Sequence, residues 1–143
     1  MTPPAVDAAV VHAKLRLMRQ LLDDLESVAA VDRAAIEQDR MLRYAVERIL
    51  IQLVELAAGV NAHLAAARLG VGAMSYRESF LAAAQAGALP HELAERLAPS
   101  AGLRNVLVHE YLAVDLDLVV AGIALAKADF RRYVRSIADA LPG

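Results

Sequence analysis

Cysteine and tryptophan are absent from the chain, aromatic residues make up only 4% of it, and 15 basic side chains nearly cancel 17 acidic ones. Without cysteine there are no disulfides, thiolate metal sites or cysteine nucleophiles, and the composition suits a reducing compartment. Few aromatics and much alanine favour helices over sandwiches or barrels. A formal net charge of −2 supplies no global attraction to nucleic acid, so any such contact requires a local basic surface. The apolar runs Ile49 to Val60 and Leu116 to Ala126 carry Gln52, Glu55 and Asp117 and fall short of a bilayer span. The opening Met1-Thr2-Pro3-Pro4 lacks the basic flank and apolar stretch of a signal peptide, so a soluble, cytoplasmic protein without membrane contact is expected.

What is present points to a single helical domain over residues 1–143, a length that buries an apolar core without staples. Hydrophobic residues account for 58% of the chain, and a mean hydropathy of +0.40 is high for a soluble monomer. An apolar helical face buried between two subunits accounts for that surplus.

Five helices are predicted. The first covers about Asp7 to Ala29, with Val10, Val11, Leu17, Met18, Leu21, Leu22 and Leu25 largely at three-to-four spacing. Asp32 is placed to cap a second helix from Arg33 to Leu69, which Gly59 is expected to bend or loosen and Gly70-Val71-Gly72 to stop. Ser75 and Glu78 have capping-box spacing for a short third helix, and Gly87 to Pro90 forms the next break. A fourth helix begins near His91, with a kink expected at Pro99 just before Arg104. Asp115 caps the last helix, Leu116 to Leu141, whose tail contains Arg131, Arg132 and Arg135. The expected fold is an all-α, up-and-down bundle of four to five helices.

Within this scaffold the run Arg104-Asn105-Val106-Leu107-Val108-His109-Glu110-Tyr111 sets a permanent cation, an amide, an imidazole and a phenol in eight residues. On a helix advancing about 100° per residue, Asn105 and His109 share one face and Arg104 and Tyr111 another. Arg104 and His109 lie roughly 140° apart on the same geometry, so one straight helix does not aim both at a single atom. Either the helix unwinds near His109, or two copies meet so that one chain's Arg104 approaches the other's His109. The second solution also uses the apolar surplus, giving a homodimer with a composite cleft.

Such a cleft suits RNA phosphodiester cleavage. An imidazole exchanges protons near neutrality, an arginine fork holds two phosphate oxygens, and an amide bonds a phosphate, a ribose or the imidazole. The scheme calls for no metal and no cofactor.

The segment resembles the Arg-x4-His-x-Tyr signature of the HepT-like branch of the HEPN superfamily. The likeness extends to Tyr76-Arg77-Glu78-Ser79-Phe80, Ala86-Gly87-Ala88-Leu89-Pro90, Leu93-Ala94-Glu95-Arg96-Leu97 and Gly102-Leu103-Arg104-Asn105, and is good from about Met74 to Asp115. The resemblance implies an all-helical, metal-independent endoribonuclease acting as a homodimer, the toxin of a toxin–antitoxin system, with Arg104 and His109 catalytic; Asn105 joins them as a catalytic candidate through its hydrogen-bonding amide, in an orienting role. The resemblance also implies a partner, an MntA-like nucleotidyltransferase antitoxin that adds AMP to Tyr111. Pro99 and Ser100 depart from the uninterrupted helix expected of relatives.

Other readings stay open. The chain also fits a non-catalytic helical partner that docks a minimal nucleotidyltransferase and presents its substrate, or an inert scaffold in which the polar run pins a dimer. His12, His63 and His91 lack partners at ligand spacing, and no Glu lies three residues before any histidine, which argues against a di-iron bundle. Arg40, Arg43, Arg48, Arg68 and Arg77 form either a basic approach to the site or a solvated face interleaved with Glu37, Asp39, Glu47 and Glu78.

Overall fold

A computed structural model describes residues 5–28, 31–110 and 112–142, and among these the only regular structure is helical. Side-chain caps set most helix starts. The Asp7 carboxylate accepts the Val10 N–H at 3.2 Å to open α1 (Ala8–Ser27), and Asp32 accepts from Ala35 at 2.8 Å to open α2 (Arg33–Gln38). The predicted second helix is two helices. Asp39, with φ −125° and ψ 99°, turns its side chain onto the Met41 and Leu42 N–H groups, both at 3.1 Å, and so starts α3 (Arg40–Leu69). A short carboxylate competes for backbone donors that an unbroken helix would use itself.

α3 continues unbroken through Gly59, where a Cβ would stand 3.0 Å from the Lys14 ammonium nitrogen of α1, so this glycine gives room to a crossing side chain. Gly70 ends the helix in the left-handed conformation, φ 67°, as its position predicts. By length and composition α3 could cross a bilayer, with a mean hydropathy of 1.5 over its most apolar window, but half of that window is buried inside the bundle.

α4 (Tyr76–Gln85) begins where Ser75 accepts the Glu78 N–H at 3.1 Å. α5 (His91–Leu97) and α6 (Ser100–His109) replace the predicted kinked fourth helix, because Pro99 has no N–H to continue α5 and instead opens α6. Asp115 caps α7 (Leu116–Leu125), which passes through a π-helical turn, Ala126–Phe130, into α8 (Arg131–Ala140). That turn, which the periodicity did not show, buries the Asp129 carboxylate against Arg96 of α5, at 3.0 Å from its Nη2.

α3 is the central element, with α1 and α4 packed along it. Phe80, Phe130 and Tyr133 meet edge to face with centroids 6.1–6.4 Å apart. Such aromatic contacts each add roughly 0.5–1.5 kcal/mol beyond area burial. The Tyr133 hydroxyl is sealed in this core and donates to Asn61 Oδ1 at 2.6 Å, while Asn61 Nδ2 donates to Ser79 Oγ at 3.2 Å and Ser79 Oγ to the Tyr76 carbonyl at 2.6 Å. Burial pushes the Tyr133 phenol well above its ordinary pKa, so it remains a neutral donor.

Tyr133→Phe keeps the ring and removes the proton that Asn61 accepts. It should cost about 1–3 kcal/mol, the penalty for an orphaned buried acceptor, seen as a lower urea midpoint at unchanged slope. An unchanged midpoint would show that this hydrogen-bond chain contributes nothing.

Candidate active site

Arg104 and Asn105 sit mid-helix on α6, Arg104 half-buried against α3 and α4 and Asn105 exposed beside it, while His109 is the last residue of α6 and is exposed. The Arg104 side chain is only 20% exposed and is clamped on several sides. Its Nε and Nη2 both donate to Glu55 Oε1 of α3, at 3.3 and 2.9 Å, and its Nη1 donates to Asn105 Oδ1 at 3.1 Å. Its guanidinium carbon lies 5.0 Å from the centroid of the Tyr76 ring at the start of α4.

A guanidinium has five N–H donors, and here three are engaged. Among the described residues one N–H on each terminal nitrogen has no partner, so the guanidinium keeps donors for a phosphate oxygen. Because Asn105 spends its oxygen on Arg104, its amide protons are left for a ligand. The clamp thus aims both side chains without exhausting them.

His109 is not joined to this pair, and among the described residues no hydrogen bond links it to Arg104 or Asn105. Both Arg104 and His109 belong to regular helix, so the separation of roughly 140° around the axis holds within one chain. The backbone leaves the helix only at Glu110, φ −107° and ψ 85°. Tyr111, the expected site of AMP addition, lies outside the described residues.

Beside Arg104 an open apolar groove of about 290 Å³ runs between α3, α6 and α7, lined by Leu50, Val54, Leu103, Leu118 and Phe130 among others. Gly122 floors it; a Cβ there would meet Leu103 Cδ2 at 2.5 Å. Leu118 on its wall is 47% exposed.

Several arginines weighed as a basic approach have structural partners. Arg43 pairs with Glu47 at 3.3 Å, and Arg68 donates to the carbonyls of Ala140 and Ala86 at 2.6 and 3.3 Å. Arg131 pairs with Asp23 at 2.8 Å, and Arg132 pairs with Glu92, whose carboxyl it holds below the usual range by that hydrogen bond. Arg40, Arg48 and Arg77 are exposed. His63 also has a structural task, its Nε2 accepting the Asp7 backbone N–H at 2.9 Å.

Glu55 and Tyr76 were not among the predicted site residues. Glu55 carried a signal, as a lone carboxylate in the apolar run Ile49 to Val60, where an unpaired charge is costly.

The described residues thus form an all-helical bundle in which one short helix carries a clamped arginine, an amide beside it and an exposed histidine five residues on. The profile of the ribonuclease HepT-like family matches residues 18–137, and the chain belongs to that family. Among curated proteins it is 29% identical over 135 residues to the tRNA nuclease HepT of Aphanizomenon flos-aquae, covering 92% of this chain and 90% of that one. It is 26% identical over 126 residues to the mRNA nuclease HepT of Shewanella oneidensis, covering 87% and 93%. Among solved structures it is similar to the tri-AMPylated HEPN toxin of Shewanella oneidensis in complex with MNT antitoxin, with TM-score 0.80, 25% identity and coverage of 91% and 97%. The cytosolic protein YutE of Bacillus subtilis, of unknown function, shares the fold at TM-score 0.81 and 18% identity, over 95% and 91% of the two chains.

The clamp predicts energetic coupling. A double-mutant cycle of Glu55→Ala and Arg104→Ala, read by urea unfolding, should give about 1 kcal/mol of interaction that shrinks as salt is raised, the size for a half-exposed pair. Strict additivity would mean that Glu55 does not hold Arg104.

Proposed function

We propose that the protein is a metal-independent endoribonuclease, the toxin of a cytoplasmic toxin–antitoxin system. The observation that carries this is the Arg104 guanidinium, fixed through three of its five N–H groups beside an open groove, with one donor on each terminal nitrogen unpartnered among the described residues. Family membership and the nuclease names of two relatives covering most of the chain support it.

In the proposed reaction the ribose 2′-oxygen attacks the adjacent phosphorus, the bond to the 5′-oxygen of the next nucleotide breaks, and a 2′,3′-cyclic phosphate is left. Charge builds on the non-bridging oxygens, where the free donors of Arg104 and the Asn105 amide stabilise it. His109 exchanges the proton, accepting from the 2′-hydroxyl or giving to the leaving oxygen, since an imidazole ordinarily titrates near neutrality.

One chain does not aim Arg104 and His109 together, so the active unit is a homodimer in which Arg104 of one copy works with the histidine of the other. The apolar groove beside α6, with exposed Leu118 on its wall, supports burial of this face against a second copy. The cognate partner is an MntA-like nucleotidyltransferase that silences the toxin by adding AMP to Tyr111. The modified state of a relative bound to its antitoxin supports this.

In the presence of a chelator the wild-type chain should cut RNA to 2′,3′-cyclic phosphate ends, and Arg104→Ala or His109→Ala should each lower the rate by about 100-fold or more with unchanged folding. In the same assay Tyr111→Phe should cut RNA and resist silencing by the nucleotidyltransferase and ATP. Equal silence from wild type and His109→Ala, with the antitoxin complex intact, would contradict the nuclease and favour a non-catalytic docking partner.

A further inference from the structure

Three aromatic side chains cluster in the core around α4, and a fourth, at the start of that helix, stands apart from them. Phe80, Phe130 and Tyr133 are at most 1% exposed, whereas Tyr76, at the first position of α4, is 36% exposed. Its ring touches Arg104, whose guanidinium carbon is 5.0 Å from the centroid, and Arg77 beside it is exposed.

The backbone under this ring is held at two points. Ser75 caps the helix by accepting the Glu78 N–H, and the Tyr76 carbonyl accepts from Ser79 Oγ at 2.6 Å. Ser79 in turn accepts from Asn61, which is tied to the fully buried Tyr133 hydroxyl. A surface aromatic needs no such anchorage for its own burial. A rigid stem carrying an exposed ring against a phosphate-gripping arginine is the arrangement of a stacking platform, where a cation holds the backbone and a π face holds a base.

We infer that Tyr76 is a nucleobase-stacking subsite, holding an unpaired base next to the phosphate held by Arg104. The inference rests on the ribonuclease reading above and deepens it. One nucleotide places its phosphate and its base on opposite sides of a single ribose, so occupation of Arg104 by the phosphate leaves the base to fold over the neighbouring ring. Because every base has a π face, the subsite selects single-stranded RNA over duplex and is tolerant of sequence. The stack also presses on the guanidinium from the ring side and orients it for the phosphate.

The test uses two fluorescently labelled, single-stranded 2′-O-methyl oligoribonucleotides, which have no 2′-hydroxyl to attack, one with bases and one abasic throughout, with binding read by anisotropy. Wild type should bind the base-bearing strand more tightly than the abasic one. Tyr76→Leu should weaken the base-bearing strand by about tenfold or more and the abasic strand, which feels the ring only through Arg104, distinctly less, with Tyr76→Phe restoring wild-type binding. Equal weakening of both strands by Tyr76→Leu would show that the ring acts only through Arg104, and no weakening of either would show that it does not touch RNA; each overturns the subsite alone. Failure of wild type to bind either strand would remove the ribonuclease reading and the subsite with it.

Discussion

The clamp on Arg104 is the contact on which the functional part of the fold depends. A guanidinium on a long flexible stem has no preferred direction, yet here Glu55 from α3, Asn105 from its own helix and Tyr76 from α4 close on it at once. Each of these groups needs its own support. Glu55 tolerates a half-exposed place in an apolar helix because a cation meets it, and Tyr76 is anchored through Ser79 and Asn61 to a hydroxyl in the centre of the core. Pro99 separates α5 from α6 just before the segment that carries Arg104, and the guanidinium still reaches Glu55 and Tyr76.

The same geometry that fixes Arg104 inward turns His109 away. Five residues of regular helix separate them, and no adjustment of side chains within one copy makes that arc disappear. The apolar groove lies on the same side as Arg104, so the surface that asks for cover and the arginine that asks for a proton-transfer partner are neighbours. In the proposed homodimer a second copy would answer both demands. A docking partner that merely presented nucleotides would need the groove but would have no use for an arginine restrained to leave two donors open.

Much of this was legible in the sequence because it is local. Asp32, Ser75 and Asp115 cap where their spacing says, Gly70 ends α3, and the Arg-x4-His spacing alone predicts divergent faces. What was missed is either a competition or a long-range pairing. Asp39 reads as an ordinary helical residue until its carboxylate is seen to take two backbone donors, and the π-helical turn at Ala126 is set by burial of Phe130 and Asp129, which local periodicity does not encode. Glu55 and Arg104 are 49 residues apart, and Tyr76 and Tyr133 act on the site through contacts between different helices. The lone carboxylate of an apolar run was the one advance notice of the clamp.

The most direct test of a shared site is complementation between two inactive chains. Co-expressed with different tags and purified as the mixed dimer, an Arg104→Ala chain and a His109→Ala chain retain one intact Arg104 and one intact His109, on opposite copies. If each site joins the arginine of one copy to the histidine of the other, the mixed dimer cuts RNA while either variant alone does not. A mixed dimer as inactive as its parents would place both residues of each site in one chain and contradict the account.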